Sequence, residues 1–489
     1  MRVLIHAEDV LGVHYATVLE LAARHLRQGD EVHFLTCQGT LQTCPANPFH
    51  DERTCIVCRS KLRKGLNIEA FRAVQTHVLD LSRYENEIWV PSFSTIDDLM
   101  RFEIDGVNHG MEAASTVISA LRKPRPNMQE HRDLVKRSLF TAVALYRAAR
   151  RRFEELQPDR CYVLNGRRAS QMPVVRIAWE TETKLYTFEL GHDASTYILI
   201  EDTYFHDLEN KKEEIESYWS DDVPIETKKK RAEQFFQDRR YGPGDEFLEA
   251  KFKEGQTDGH LPDNFDPERR NIAVFNTSID ELEAVEGYQN LVYDDQVKGL
   301  RRILRDPSLD DDLHLYLRVH PNLADVDNFQ TREIERLDAD NLTVIPAKSD
   351  VDSYGLMDAC EKVLTFGSAM SIESAYAGKP SILVGRRSFE DLGACYTPQT
   401  HAEVIDLLNA VDLPSRDRLG AIKYGYYMVR RDREYSFYDP ETNTIADQTL
   451  MPSHIARYVK MALTDGPLSL LSYLLRRLRH RARNLMMPG

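Results

Sequence analysis

The sequence predicts an α/β protein of two Rossmann-like, doubly wound units facing a cleft. Three observations carry this. Short apolar runs alternate with helical stretches in residues 1–193, and the same alternation restarts at residue 271. The runs are nearly unbroken in Val, Ile and Leu, as expected for parallel strands covered on both faces. Between the two series lies a charged stretch, 207–270, that closes in the Pro-, Asp- and Gly-rich "QTDGHLPDNFDPERRN".

In chain order, "RVLIHA" reads as a strand, residues 13–28 as an amphipathic helix and "DEVHFLTC" as a second strand. Residues 126–156 read as a charged helix. "DRCYVLNGR" and "KLYTFELGHD" read as strands ending in Asn-Gly-Arg and in a Gly turn, with the helix 173–183 between them. The segments "LENKKEEIESYWSDD" and "IETKKKRAEQFF" read as solvated surface helices. The second series has strands at 271–275, 315–319, 342–347, 362–366 and 380–385, with helices between them. The expected division is 1–265 for the first unit, 271–455 for the second and 456–489 for a C-terminal amphipathic basic helix. Ligands of such folds bind outside the carboxyl ends of the strands.

The chain has 489 residues, 42% apolar and 29% charged, with a formal net charge of −15. That acidity argues against nucleic-acid binding, which requires a basic surface. No run approaches the roughly 20 apolar residues of a membrane span. The first residues show no signal-peptide pattern, so a cytoplasmic location with reduced thiols is expected.

The stretch "LYLRVHPN" ends an apolar strand in Arg318, His320 and Pro321. A proline after the histidine restrains the backbone, and the imidazole can then donate to a phosphate oxygen. A plain turn is the alternative. In "LTFGSAMSIESAYAGKPSILVG" a strand ends at Gly367-Ser368 and a helix follows. Its free N–H groups, Ser368 and Ser371 can meet an anion, and Glu373 can accept from sugar hydroxyls. The loop Asn276-Thr277-Ser278 opens on the same sheet edge. Asp350 and Asp352 in "KSDVDSY" read as helix caps rather than a metal motif.

Together "RVHPN" and "FGSAMSIESAYAGKPSILVG" resemble the donor half of capsule-polysaccharide glycosyltransferases of the two-domain GT-B fold, such as bacterial polysialyltransferases and capsule Kdo transferases. The resemblance covers about 130 residues. It implies a nucleotide-sugar donor, a CMP-sugar foremost and a UDP-sugar as the alternative, held by His320, Pro321, Ser368 and Ser371. It implies metal-independent transfer to a glycan or lipid-linked acceptor in bacterial surface-polysaccharide synthesis, capsule or lipopolysaccharide. The family's acidic-X-Gly motif, whose acid is the base, is matched by Glu189-Leu190-Gly191, with one acid where the polysialyltransferases tend to have two. "HPN" with a Gly-Ser loop also resembles UDP-N-acetylglucosamine 2-epimerases. An epimerase-like isomerase and a non-catalytic nucleotide-sugar-binding protein are therefore the competing readings.

An inverting transfer needs a base for the acceptor hydroxyl and stabilisation of the departing phosphate. Glu189 is the expected base, and His320 the expected partner of the phosphate. Asn165, Arg167 and His192 end neighbouring strands and are candidates for the acceptor site, with simple turns as the alternative. Separately, Cys37, Cys44, Cys55 and Cys58 form a cluster ending in Cys-x-x-Cys, with His50 nearby. A structural zinc knuckle is expected, with an iron–sulfur cluster or independent thiols as alternatives. Finally, "PLSLLSYLLRRLRHRARNLMMPG" sets leucines at helical spacing beside a run of arginines. This suits an anionic membrane surface on the inner face of the cytoplasmic membrane, or a helix docked across the units.

Overall fold

The computed structural model describes residues 1–192, 195–242, 255–290, 292–440, 443–445 and 448–449. The C-terminal helix expected at 456–489 lies outside the described residues.

The first unit starts with β1 (Arg2–His6), α1 (His14–Arg27) and β2 (Glu31–Thr36). Four of the five β1 residues are buried, so its apolar run follows from cover on both faces. In α1 the buried Tyr15, Val18, Leu19 and Ala22 recur at i, i+3, i+4 and i+7, the spacing of one helix face. After α2 (Glu52–Leu66) and β3 (Gln75–Val78) come α3 (Ile96–Met100), the hairpin β4 (Glu103–Ile104) and β5 (Val107–Asn108), and the helices α4 (Gly110–Leu121) and α5 (Arg132–Leu156). Then follow β6 (Arg160–Leu164), α6 (Met172–Glu180), β7 (Lys184–Leu190) and β8 (Thr196–Glu201). β7 and β8 run antiparallel, a mixed edge on an otherwise parallel core.

The second unit follows α7 (Leu208–Trp219) and α8 (Ile225–Tyr241). It comprises β9 (Arg270–Phe275), α9 (Gln296–Leu304), β10 (Leu313–Arg318), α10 (Phe329–Glu335), β11 (Leu342–Ile345), α11 (Ser353–Ala359), β12 (Lys362–Thr365), α12 (Met370–Tyr376), β13 (Ser381–Leu383) and α13 (His401–Asn409). Its sheet has the order β11-β10-β9-β12-β13, all parallel. The first sheet contains the same order, β3-β2-β1-β6-β7, extended by β8. Each sheet therefore has one switch point, where crossovers leave in opposite directions and a crevice opens. In the first unit it lies between β1 and β6, in the second between β9 and β12. These are the two doubly wound units the sequence predicts, in the facing arrangement named GT-B.

Two features differ from the sequence expectation. The chain returns: α14 (Leu419–Arg430) packs on α7 and α8, and β14 (Asp432–Glu434) joins the first sheet beside β8. The second unit thus ends well before residue 455. The Glu20 carboxylate, fully buried on α1, fixes this return by accepting the N–H groups of Ser436, Phe437 and Tyr438. The helices α7 and α8, read as solvated, bury Leu208, Ile215, Phe235 and Phe236. Their charged faces pair with the returning helix, as in Lys423–Glu216 at 2.7 Å and Tyr427–Glu214 at 2.9 Å.

Candidate functional site

At the switch point of the second unit, the loops after β9, β10 and β12 surround a pocket of about 230 Å³. Asn276, Thr277, Arg318, His320, Pro321, Ser368 and Glu373 all line it. The convergence expected from the strand ends is present. The frame is rigid because its polar groups bind one another. Asn276 Oδ1 accepts the backbone N–H of His320 at 2.9 Å. The N–H of Asn322 donates to His320 Nδ1 at 3.1 Å. With Nδ1 an acceptor, the ring proton of a neutral imidazole sits on Nε2, which can then donate. Ser368 Oγ accepts from the N–H of Met370 at 3.3 Å and keeps its own proton for donation.

Three expected donor residues, Ser278, Gly367 and Ser371, do not line the pocket, and a fourth, Arg318, lines it but is committed to the loop beneath. Ser371 is fully buried and its hydroxyl donates to the Ser368 carbonyl at 2.7 Å, so it closes the helix turn. Ser278 bonds Asp280 and faces a neighbouring cavity, which Gly367 also lines. Arg318 is buried beneath the pocket and binds the carbonyls of Pro346 and Ser349 and the Ser353 hydroxyl. Burial lowers its guanidinium to about 10, still a cation at neutral pH. It holds the loop 346–353. The helix α12 that follows has seven residues, with Ala369 as its N-cap and no side-chain cap. Gly367 does have the backbone of a special turn, with φ of 92°. Asp352 caps α11 by accepting from the N–H of Tyr354, whereas the Asp350 carboxylate lies 3.6 Å from His260.

Several pocket residues escaped the sequence reading. Arg239, from α8, pairs with Glu373 at 2.8 Å, and Tyr354 donates to the same carboxylate. Glu373 thus anchors a residue 134 positions away in the chain. Arg387 also lines the pocket, and its Nε donates to the Gly367 carbonyl.

At the switch point of the first unit, Glu189 Oε2 accepts from Asn165 Nδ2 at 2.8 Å, and Oε1 lies 3.4 Å from His14 Nε2. Asn165 sits in the left-handed region, φ 56°, which turns its amide toward Glu189. Glu8 and Asp9 follow β1 on the same edge. Burial raises Glu8 to about 8, against a bond from Ser170. Burial raises Asp9 as well, against the nearby His14 and Arg168. Burial holds His206, beside Asn165, well below its usual value. This edge is full of buried polar atoms with no hydrogen-bond partner in the structure: His6 Nδ1, Glu8 Oε2, His14 Nδ1, Asn165 Oδ1, Arg167 Nε and Arg168 Nε. Buried polar atoms of this kind demand an explanation, and a ligand rich in hydrogen-bonding groups supplies one. His192 is elsewhere: it binds Asp432 through both its backbone N–H and its ring, which pins β14.

The two edges face each other across direct contacts. Arg167 donates to the carbonyl of Glu281, a donor-pocket residue. Arg122 reaches Asp280 at 2.6 Å, Ser278 at 3.2 Å and the Asn322 carbonyl at 3.0 Å. Asn322 Nδ2 in turn donates to Glu281 at 2.6 Å. Asn322 is also the residue whose N–H holds His320.

The four cysteines 37, 44, 55 and 58 line one small cavity of about 40 Å³ beside the loop after β1. All four are free thiols and half-buried. Among the described residues no group of three His, Cys, Asp or Glu side chains is gathered to hold a metal. The expected tight-turn knuckle is not formed, because Asp51 caps a helix and Cys55 and Cys58 lie on it one turn apart. Burial raises the thiols of Cys37, Cys44 and Cys58, the last to about 12. The amide of Asn47 donates to Cys55 Sγ at 3.3 Å. His50 is committed to the Leu41 carbonyl.

No family model and no curated protein matches the sequence. Among solved structures, the chain is similar to the KpsC β-Kdo 2,7 transferase of Thermosulfurimonas dismutans, with 13% identity, a TM-score of 0.39 and coverage of 65% of this chain and 89% of that one. It is also similar to a UDP-GlcNAc 2-epimerase from Neisseria meningitidis bound to UDP-GlcNAc, with 11% identity, a TM-score of 0.31 and coverage of 88% and 98%. A third is the spinosyn rhamnosyltransferase SpnG, with 12% identity, a TM-score of 0.26 and coverage of 94% and 99%. These scores are too low to carry an argument about activity.

Proposed function

We propose that the chain is a glycosyltransferase that moves a sugar from a nucleotide donor to a glycan or lipid-linked acceptor, as in bacterial surface-polysaccharide synthesis. The observation that carries this reading is the pairing of two switch-point edges. One is a preassembled pocket with donors for a phosphate. The other is a set of unpartnered polar atoms around a carboxylate. In this scheme the nucleotide, CMP foremost and UDP as the alternative, lies in the pocket beneath His320. His320 Nε2–H, the Ser368 hydroxyl and Arg387 meet the phosphate as its charge grows. Glu189, oriented by Asn165 and His14, takes the proton of the acceptor hydroxyl. These groups supply the charge stabilisation, so the scheme assigns no role to a catalytic metal.

The test is a thermal-shift panel of CMP-, CDP-, UDP- and GDP-sugars on the full chain. Stabilisation by one nucleotide class supports the reading, and stabilisation by none opposes it. Conversion of a bound UDP-sugar to its epimer, without any acceptor, would favour an isomerase instead.

Two further parts of the reading rest on the sequence. We propose that the four thiols take one zinc ion, since an all-sulfur donor set suits that metal; binding has to draw the cysteines together, because no three such ligands are gathered among the described residues. Elemental analysis of protein purified without added metal should find about one zinc per chain. Metal-free protein with four reactive thiols would end the idea. We also propose that the chain works in the cytoplasm, with its basic C-terminal segment on the inner membrane face. Truncation after residue 466 should then reduce binding to anionic vesicles at low salt while leaving the melting temperature unchanged. Among the described residues no helix is long and apolar enough to cross a membrane.

A further inference from the structure

Three cations stand beside Glu189 that the transfer scheme leaves unused. Arg167 and Arg168 follow β6, and Lys211 lies on the first turn of α7. All three are half-buried, and among the described residues none of them forms an ion pair. Contacts tie them to the expected base. The Asn165 carbonyl accepts from the N–H of Phe205 at 2.8 Å. Asn165 Nδ2, which donates to Glu189, lies 3.4 Å from His206 Nε2. The rings of His206 and Phe205 meet edge-on at 5.1 Å, and the Lys211 ammonium sits 4.2 Å over the Phe205 ring. We propose that Arg167, Arg168 and Lys211 form a subsite for one anionic group, a carboxylate or a phosphate, carried by the acceptor. The proposal rests on the glycosyltransferase reading and adds the substrate class.

A cation drawn from water without a partner costs stability, and neighbouring cations repel one another. His206 feels this group: after burial, the charges of Arg167, Lys211, Arg168 and Arg387 hold its ring well below its usual value. The carboxyl groups around them are engaged elsewhere. Asp207 caps α7, accepting from the N–H of Asn210 and the Thr203 hydroxyl. Glu214 accepts from Tyr427, Glu281 from Asn322, and Asp280 pairs with Arg122. Glu8 keeps its proton up to about 8, and Asp9 is shared among His14, Arg168 and Lys61. Arg167 uses its terminal nitrogens on the Glu281 carbonyl and Ser119, so its Nε, like that of Arg168, is a buried donor with no acceptor. Burial lowers Lys211 to about 7, with Arg431 and Arg387 adding to the effect. An anion among these groups supplies the missing acceptors and raises Lys211 again. Position decides the carrier. These cations belong to the first unit, on the edge of the base, whereas the donor phosphate is assigned to His320 and Arg387.

The experiment immobilises the full chain and probes it with a neutral hexose tetrasaccharide, a hexuronate tetrasaccharide and a hexose tetrasaccharide bearing one phosphomonoester. Each is measured with and without CMP or UDP. At least one anionic saccharide should bind about tenfold more tightly than the neutral one, less so at high salt, and which of the two does so separates carboxylate from phosphate. Lys211→Met and Arg168→Met should each lower that preference by about tenfold, the scale of a lost charge-assisted hydrogen bond. Lys211→Arg, which keeps the charge, should retain it. All three variants should bind nucleotide and the neutral saccharide as the parent does, and the two Met variants should melt no lower, since an unpaired cation has left the fold. Equal binding of neutral and anionic saccharides, no saccharide binding under any condition, or a preference untouched by both Met substitutions overturns the proposal. So does displacement of the anionic saccharide by nucleotide, which would put the anion in the donor pocket. If anionic saccharides bind as expected and no nucleotide does, the subsite stands and the transferase reading falls.

Discussion

The two switch points share a strand order and differ in how their polar groups are used. In the second unit, Asn276, His320, Asn322, Ser368 and Glu373 are bonded to one another, to the backbone or, for Asn322 and Glu373, to the side chains of Glu281, Arg239 and Tyr354, before any ligand arrives. At the switch-point edge of the first unit, six buried polar atoms of the described residues have no hydrogen-bond partner, whereas at the second unit's edge Asn322 Oδ1 is one. A preassembled edge suits a constant ligand such as a nucleotide, because the cost of ordering is met in folding. An edge with unmatched atoms suits a ligand that completes it during the reaction. The difference is the basis on which donor and acceptor are proposed to lie on opposite sides.

The largest effect should come from the unfinished edge. Glu189→Gln keeps the size of the side chain and its bond to Asn165 but removes the base. Transfer should slow by about 10²–10⁴, the usual scale for a general base. Full activity in this variant would move the base elsewhere, with Asp9 the next carboxyl on that edge.

A smaller effect should come from the finished edge. Arg318→Met leaves two carbonyls and a hydroxyl without their donor under the donor pocket. Urea melts should show a loss of about 3 kcal/mol, because buried acceptors left unpaired are costly. An unchanged midpoint would mean that the loop 346–353 is held by other contacts.

The smallest effect is a pH dependence. Glu8 titrates near 8 when folded, well above its ordinary value near 4.5. Between these values the folded chain keeps a proton that the unfolded chain releases, so its burial lowers stability as pH rises through that window. Glu8→Gln does not titrate. Its melting temperature relative to the parent should therefore rise from pH 5 to pH 8, and a flat difference would show that Glu8 is ionised in the fold.

Much of this comparison was legible along the chain, for a simple reason. Strands such as 313–318 and 362–365 are rich in Leu and Val along the sheet, and the polar loop after each one marks the edge. Glu8 and Asp9 carry the same mark after β1. Arg239 carried no local sign, since it lies on a charged helix that meets the pocket only through tertiary packing. Nor did β14, three residues with no alternating pattern, announce a return to the first sheet. For Ser371 the sequence names a hydroxyl near the pocket but cannot say which side of a helix turn faces it.

The most direct test of the division between the edges is nucleotide titration of two variants beside the parent chain. His320→Ala should weaken binding of the stabilising nucleotide by about tenfold, as a phosphate contact is lost. Glu189→Gln should bind it as the parent does. The reverse pattern, with affinity lost at Glu189 and kept at His320, would contradict the assignment of donor and acceptor sides.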